Sequence, residues 1–136
     1  MNQRKRIKVR DVMTQDYELV DGLTVVRDAL RTMKNRNSRA LIVRKRDDDD
    51  EYGIVLLSDI AKYVLANNRS PDRVNTYEIM SKPVISVSPN MDIRYCARLF
   101  DNFGLAVAPV LEESEIKGII GYDEIVLNGL VDLQDA

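Results

Sequence analysis

Gly53-Ile54-Val55-Leu56-Leu57-Ser58-Asp59-Ile60 is a glycine, a wholly apolar run, then a serine and an aspartate. The apolar run reads as a buried strand, and the residues from Ser58 onward as the start of a helix. The same order returns as Gly118-Ile119-Ile120-Gly121-Tyr122-Asp123-Glu124-Ile125. At a strand-to-helix junction the first backbone N–H groups have no partner within the helix. With a carboxylate beside them, they form a place where a ligand can be held. Two such junctions in 136 residues imply two related ligand sites, or two remnants of them.

Working outward, the flanking residues repeat as well. Before the first junction come a helical turn at Val9–Thr14, a strand at Tyr17–Val20 and an Asp21-Gly22 turn. Next are a helix capped by Thr24, with Val25, Ala29, Leu30 and Met33 on one face, and a strand at Ala40–Val43. Before the second junction the order is a turn at Thr76–Ser81, a strand at Val84–Val87, a Ser88-Pro89-Asn90 turn and a helix capped by Asp92. A strand from Ala106 to Leu111 and a polar hairpin at Glu112–Lys117 follow. Met13 and Met80 stand 67 apart, as do Val43 and Val110, whereas Gly53 and Gly118 stand 65 apart because the second hairpin is shorter. This predicts an α/β protein of two tandem β-α-β-β-α repeats, packed sheet to sheet with helices outside. Each unit of about 60 residues buries too little surface alone, which gives the duplication a physical reason. The boundaries predicted are a basic arm at 1–8, repeat one at 9–70, repeat two at 71–131 and a tail at 132–136.

Composition excludes several classes of chemistry. The chain has no histidine, no tryptophan and one cysteine, Cys96, which removes most zinc sites and the His-dependent nucleophiles. A net charge of −2 gives no general attraction to nucleic acid or anionic membrane. No apolar run has the length of a spanning helix. The basic residues of 1–10 are not followed by a signal-peptide core, and a reducing cytoplasm is the compartment expected. Asp47-Asp48-Asp49-Asp50-Glu51 lacks the ligand spacing and glycine of a calcium loop and reads as a solvated hairpin tip, so no metal is expected. Cys96 lies with Ile93 and Phe100 on an apolar helix face and reads as an inert buried thiol.

Together these segments resemble a pair of cystathionine-β-synthase (CBS) domains, a Bateman module. The residues that carry the resemblance are Asp11–Thr14, Thr24–Ala29, Arg39–Val43 and Gly53–Ile60 in the first copy. In the second they are Glu78–Ser81, Asp92–Ala97, Ala106–Val110 and Gly118–Ile125. The resemblance covers roughly residues 9–130 and implies a regulatory or sensory module, not an enzyme, that forms homodimers. It implies an adenosine-containing regulator (AMP, ADP, ATP, S-adenosylmethionine or a dinucleotide) held between the repeats, with no required cofactor and with occupancy passed to a protein partner. The family's Gly-x-x-Thr/Ser-x-x-Asp falls on Gly53, Leu56 and Asp59, and again on Gly118, Gly121 and Glu124. Asp59 stands where a carboxylate grips ribose, but Leu56 replaces the phosphate-binding hydroxyl, with Ser58 two residues on. Gly121 lacks the hydroxyl and is expected to leave backbone N–H groups open, and Glu124 keeps the charge beside Asp123. Thr14, Ser81, Val84, Ile85, Arg39 and Pro109 match positions that line the site.

Each of these residues has a plainer reading. Asp59, Asp123 and Glu124 can cap helix starts, where the dipole favours a carboxylate. Arg39 can face a ligand phosphate or be a charge at a strand edge. Tyr95 and Tyr122 can stack on a base or pack. The missing hydroxyls at Leu56 and Gly121 favour a second function, a ligand-free module that assembles proteins.

Overall fold

The computed structural model describes residues 6–82 and 84–133. They form two compact units, residues 16–84 and residues 6–15 together with 85–133. In the first unit, β1 (Tyr17–Val20) pairs parallel with β2 (Ala40–Val43), which pairs antiparallel with β3 (Gly53–Leu56). Helix α2 (Val26–Arg36) connects β1 to β2, and α1 is the short turn Val9–Val12 of the other unit. All four residues of β2 are buried, as their unbroken apolar run requires. Leu41, Val43 and Val55 share a core with Val26, Ala29 and Met33 from one face of α2. After β3 the chain enters α3 (Leu57–Ile60) and continues as a wider π-type turn over Ala61–Leu65, where Ala66 N–H donates to the Ala61 carbonyl at 2.9 Å.

The second unit repeats the frame with different chain segments. Helix α4 (Ile93–Phe103) precedes the antiparallel hairpin β4 (Val107–Glu112) and β5 (Glu115–Gly121), and a π-type helix spans Asp123–Leu133. Glu113 and Ser114 turn the hairpin with φ of 52° and 65°, a left-handed pair that matches the twist of the strands. Asp92 caps α4 as read from the sequence, its Oδ1 accepting Arg94 N–H at 2.8 Å. Ile93, Cys96 and Phe100 then face the core.

Three readings change. The Thr24 side chain does not cap α2; Val25 holds that position, because Asp21 already closes the turn by accepting the Leu23 and Thr24 N–H groups. The strand expected at Val84–Val87 shrinks to a parallel bridge between Val87 and Val110. Its counterpart β1 pairs along four residues with β2, but β4 carries Pro109, which has no N–H to give to a neighbouring strand. Residues 1–5 of the expected basic arm lie outside the described residues, and by Ile7 the chain is fully buried in the core of the second unit.

Two antiparallel bridges complete the sheets. Ser81 exchanges both backbone hydrogen bonds with Ile54 (2.9 and 3.0 Å), and Thr14 does the same with Ile119 (both 2.9 Å). The turn that opens each repeat therefore lies along the last strand of the unit it joins. These approaches explain the glycines that open β3 and sit within β5. A Cβ on Gly53 would lie 2.5 Å from Met80 Sδ, and one on Gly118 would lie 3.0 Å from both Met13 Sδ and the Thr14 carbonyl oxygen. Gly53→Ala should cost about 1–3 kcal/mol by overpacking. Urea unfolding should show clearly less cost in a Met80→Ala background, since the two changes share one contact. An equal cost in both backgrounds would contradict this packing.

Candidate functional site

The two strand-to-helix junctions are built alike. Asp59 Oδ2 accepts the Leu56 N–H at 2.8 Å, and Glu124 Oε1 accepts the Gly121 N–H at 2.7 Å. The leading turns use the same device, with Asp11 on Lys8 N–H (3.0 Å) and Glu78 on Asn75 N–H (2.7 Å). In all four cases a carboxylate reaches back three residues, as the acidic half of a capping box does. The capping reading of Asp59 and Glu124 is thus realised. One capping bond does not exhaust a carboxylate, whose two oxygens offer about four acceptor positions.

In the unit of residues 16–84, the register brings three candidates to one end of the sheet. Ala40 stands opposite Leu56, so Arg39, which precedes it, lies next to the junction, with its N–H donated to the Asp16 carbonyl at 2.8 Å. Leu56, Asp59 and Arg39 are half-buried, and Ser58 is exposed on the first helical turn. Ser81 is paired two residues along β3 from Leu56, and Val84 is half-buried at the end of the unit.

The other junction differs in kind. Thr14 and Pro109 flank Ile119 from either side of β5, and Pro109 is buried, its carbonyl accepting Val87 N–H at 3.0 Å. Ile85 is 40% exposed and Asp123 is exposed. The expectation that Gly121 leaves its N–H open does not hold, because Glu124 takes it. Glu124 is only 6% exposed, and a Cβ at Gly121 would come within 3.0 Å of the Ala106 carbonyl oxygen. A hydroxyl-bearing side chain has no room there without a backbone shift. Tyr122 packs edge-on against Phe100 at 5.4 Å between ring centroids, which supports its packing role. Cys96 is fully buried, and burial pushes its thiol up to about 11, which keeps it from acting as a thiolate.

Asp50 departs from the solvated tip expected of its run. It is the hub of a small ion cluster, with Oδ2 accepting from Arg46 N–H (2.8 Å) and Arg46 Nε (3.0 Å), and Oδ1 lying 2.6 Å from Lys82 Nζ. Among the described residues no group of acids, histidines or cysteines has the arrangement of a metal site. Beside this cluster is a cavity of about 860 Å³ whose walls include Leu23, Tyr77 and Arg44, and no candidate residue from the sequence lines it. Those residues are too far apart in the chain for spacing to join them.

A family model for the CBS domain matches residues 9–66 and 77–129. The chain belongs to the CBS-domain family. It carries two CBS domains, and its α/β fold is that of solved CBS pairs. A hexameric CBS-CP12 protein from bloom-forming cyanobacteria is 35% identical, with a TM-score of 0.88 over 93% of this chain and 74% of that one. The CBS-domain pair of protein MJ0100, solved with 5′-methylthioadenosine and S-adenosyl-L-methionine, has a TM-score of 0.77 over 91% of this chain and 96% of that one; at 21% identity the likeness is one of fold. The homoserine O-acetyltransferase of Methanosalsum zhilinae is 34% identical over 120 residues, which are 88% of this chain and 23% of that protein. This chain spans between 23% and 52% of the length of the first curated relatives it matches. No helix of the described residues is long and apolar enough to cross a membrane.

The Asp50 cluster sets a pH dependence. The Arg46 guanidinium and then the Lys82 ammonium hold the Asp50 carboxyl well below the usual carboxylate range. A depressed folded-state value gives stability that is fully present above the unfolded value and is lost as pH falls toward the folded one. Urea unfolding should therefore find Asp50→Asn less stable than wild type at pH 7, with the gap narrowing once pH falls below about 4, the ordinary carboxylate range. A gap that stayed constant down to acid pH would show that the charge is not what stabilises the cluster.

Proposed function

We propose that this CBS pair is a regulatory module that binds an adenosyl ligand at the β3–α3 junction, and that it holds the nucleoside more firmly than any phosphates. The observation that carries this reading is the junction itself. Asp59 keeps a carboxylate where the family grips ribose hydroxyls, while Leu56 places an apolar side chain where the family has a phosphate-binding hydroxyl. A carboxylate can accept both ribose hydroxyls, and Leu56 offers a phosphate nothing. Arg39, next to the junction, and Ser58, Ser81 and Val84 of the same unit are the remaining candidates for ligand contact there. S-adenosylmethionine and methylthioadenosine, the ligands of the related MJ0100 pair, fit such a site better than ATP. The module catalyses no reaction of its own and passes occupancy to a protein partner as altered rigidity.

A thermal-shift and calorimetry panel of AMP, ADP, ATP, NAD, S-adenosylmethionine and methylthioadenosine tests this. A ligand at 100 times its dissociation constant raises stability by about 2.7 kcal/mol. The phosphate-free ligands should bind most tightly. Asp59→Asn can keep the cap on Leu56 N–H through its amide oxygen, so stability should change by less than about 1 kcal/mol while affinity falls about tenfold. Leu56→Thr should improve AMP relative to methylthioadenosine. No shift with any member, or an unchanged affinity in Asp59→Asn, would reject the reading.

A second reading, assembly, is favoured by the exposed faces of the helices after each junction. The repeat register aligns Leu57 with Tyr122 and Leu65 with Leu130, and these are 54%, 47%, 75% and 48% exposed, with Leu127 at 57%. Such paired apolar exposure suits a second copy of the chain, which would cover the same positions on both repeats. Sedimentation equilibrium should find a dimer or larger assembly, weakened by Leu130→Glu. A monomer at high micromolar concentration would count against self-association.

A further inference from the structure

The cavity of about 860 Å³ in the unit of residues 16–84 lies at the far end of β1 and β2 from the β3–α3 junction. Its apolar wall is Leu23, Val43, Tyr77 and Met80. Leu23 is 71% exposed and Tyr77 49% exposed, so both offer apolar surface to an occupant. Its cationic wall is Arg44, Lys45, Arg46 and Lys82. Asp50 fixes Arg46 and Lys82 in place, and Lys45 Nζ sits 4.9 Å from the centre of the Tyr52 ring. Arg44 is exposed and its side chain meets no carboxylate among the described residues. Asp21, the acid in the wall, is turned into its own loop and accepts Leu23 N–H at 2.9 Å. The tip residues Asp47, Asp48 and Asp49 do not line the cavity.

The second repeat serves as an internal control. Its backbone frame is the same: Arg44 N–H donates to the Val20 carbonyl at 2.8 Å and Leu111 N–H to the Val87 carbonyl at 3.0 Å. Likewise, Tyr77 N–H meets the Gly22 carbonyl at 3.0 Å and Arg10 N–H the Pro89 carbonyl at 2.9 Å. The side chains are inverted. Leu111, Glu112 and Glu113 stand in place of Arg44, Lys45 and Arg46, and Arg10 in place of Tyr77. Arg10 donates to Asn90 Oδ1 and lies 4.0 Å from Glu112 Oε2, so it spans its own loop. The scaffold therefore does not require cations at the positions of Arg44, Lys45 and Arg46.

We infer that this cavity is a second binding site, for a small organic phosphate with a flat apolar body, separate from the adenosyl site proposed above. The apolar body rests on Tyr77 and Leu23, and the phosphate meets the Arg44 fork and the Lys45 ammonium. The site is near a surface, so added salt weakens it.

Phenyl phosphate is the probe, titrated into ¹⁵N-labelled protein at low salt, with sodium phosphate as the comparison. The amides of Gly22, Leu23, Arg44, Arg46 and Tyr77 should shift. Arg44→Glu should weaken binding about tenfold, because it replaces an attractive charge-assisted contact by repulsion. Arg44→Leu, which installs the residue found at the matching place in repeat two, should weaken it several-fold. Position 44 is exposed, so both variants should fold. Asp59→Asn should leave phenyl phosphate affinity unchanged, which separates this site from the junction. Amides at the cavity that do not move, or an Arg44→Glu affinity equal to wild type, would overturn the proposal. So would shifts confined to Leu56 and Asp59. Equal affinity for sodium phosphate would remove the apolar wall from the site and overturn it in this form.

Discussion

Two hydrogen bonds between Ser81 and Ile54, and two between Thr14 and Ile119, set the terms for the rest of the molecule. Each bridge lays a turn from outside the strand pair along the last strand, which gives an otherwise exposed edge a partner. The second bridge joins residues 105 positions apart, so the start of the chain completes the sheet near its end. Close approach of Met80 and Met13 follows, and with it the need for glycine at 53 and 118. The strand then runs directly into the helix turn whose first N–H is taken by Asp59 or Glu124. Packing, glycine placement and the position of the carboxylates are consequences of one arrangement, repeated.

Duplication has not kept the two junctions equivalent. Asp59 is half-buried and caps the apolar Leu56, which pairs with Ala40, the residue after Arg39. At Glu124 the carboxylate is buried, and the Ala106 carbonyl leaves no room for a side chain at Gly121. The first junction retains the means to accept hydroxyls; the second is closed on itself. The hairpin ends diverge in a similar way, with Arg44, Lys45 and Arg46 around an open cavity in one repeat and Arg10 held by Asn90 near Glu112 in the other. In both cases the two repeats keep one backbone frame and differ in the side chains it carries.

Much of this fold is legible in the chain because period and punctuation agree. The run Ala40–Val43 is apolar on every residue and is buried on every residue. Asp92 precedes an apolar-periodic segment and caps it. Where the reading fails, a competing local group is responsible: Asp21 displaces Thr24 at its turn, and Pro109 denies a donor to the strand expected at Val84–Val87. Ile7 is a lone apolar residue among cations and gives no periodic signal, yet it is core. The carboxylates of the site were visible as residues, but their partners depended on register. The cavity joins Leu23 to Lys82 across 59 positions, and no spacing rule reaches that far.

The central proposal is that Asp59 both closes the β3–α3 turn and receives a nucleoside, while Glu124 closes its turn and receives none. Amide chemical shifts read both junctions in one titration with S-adenosylmethionine. Saturable shifts are expected at Leu56 and Asp59, with Gly121 and Glu124 unmoved. Saturable shifts at Gly121 with none at Leu56 would contradict it.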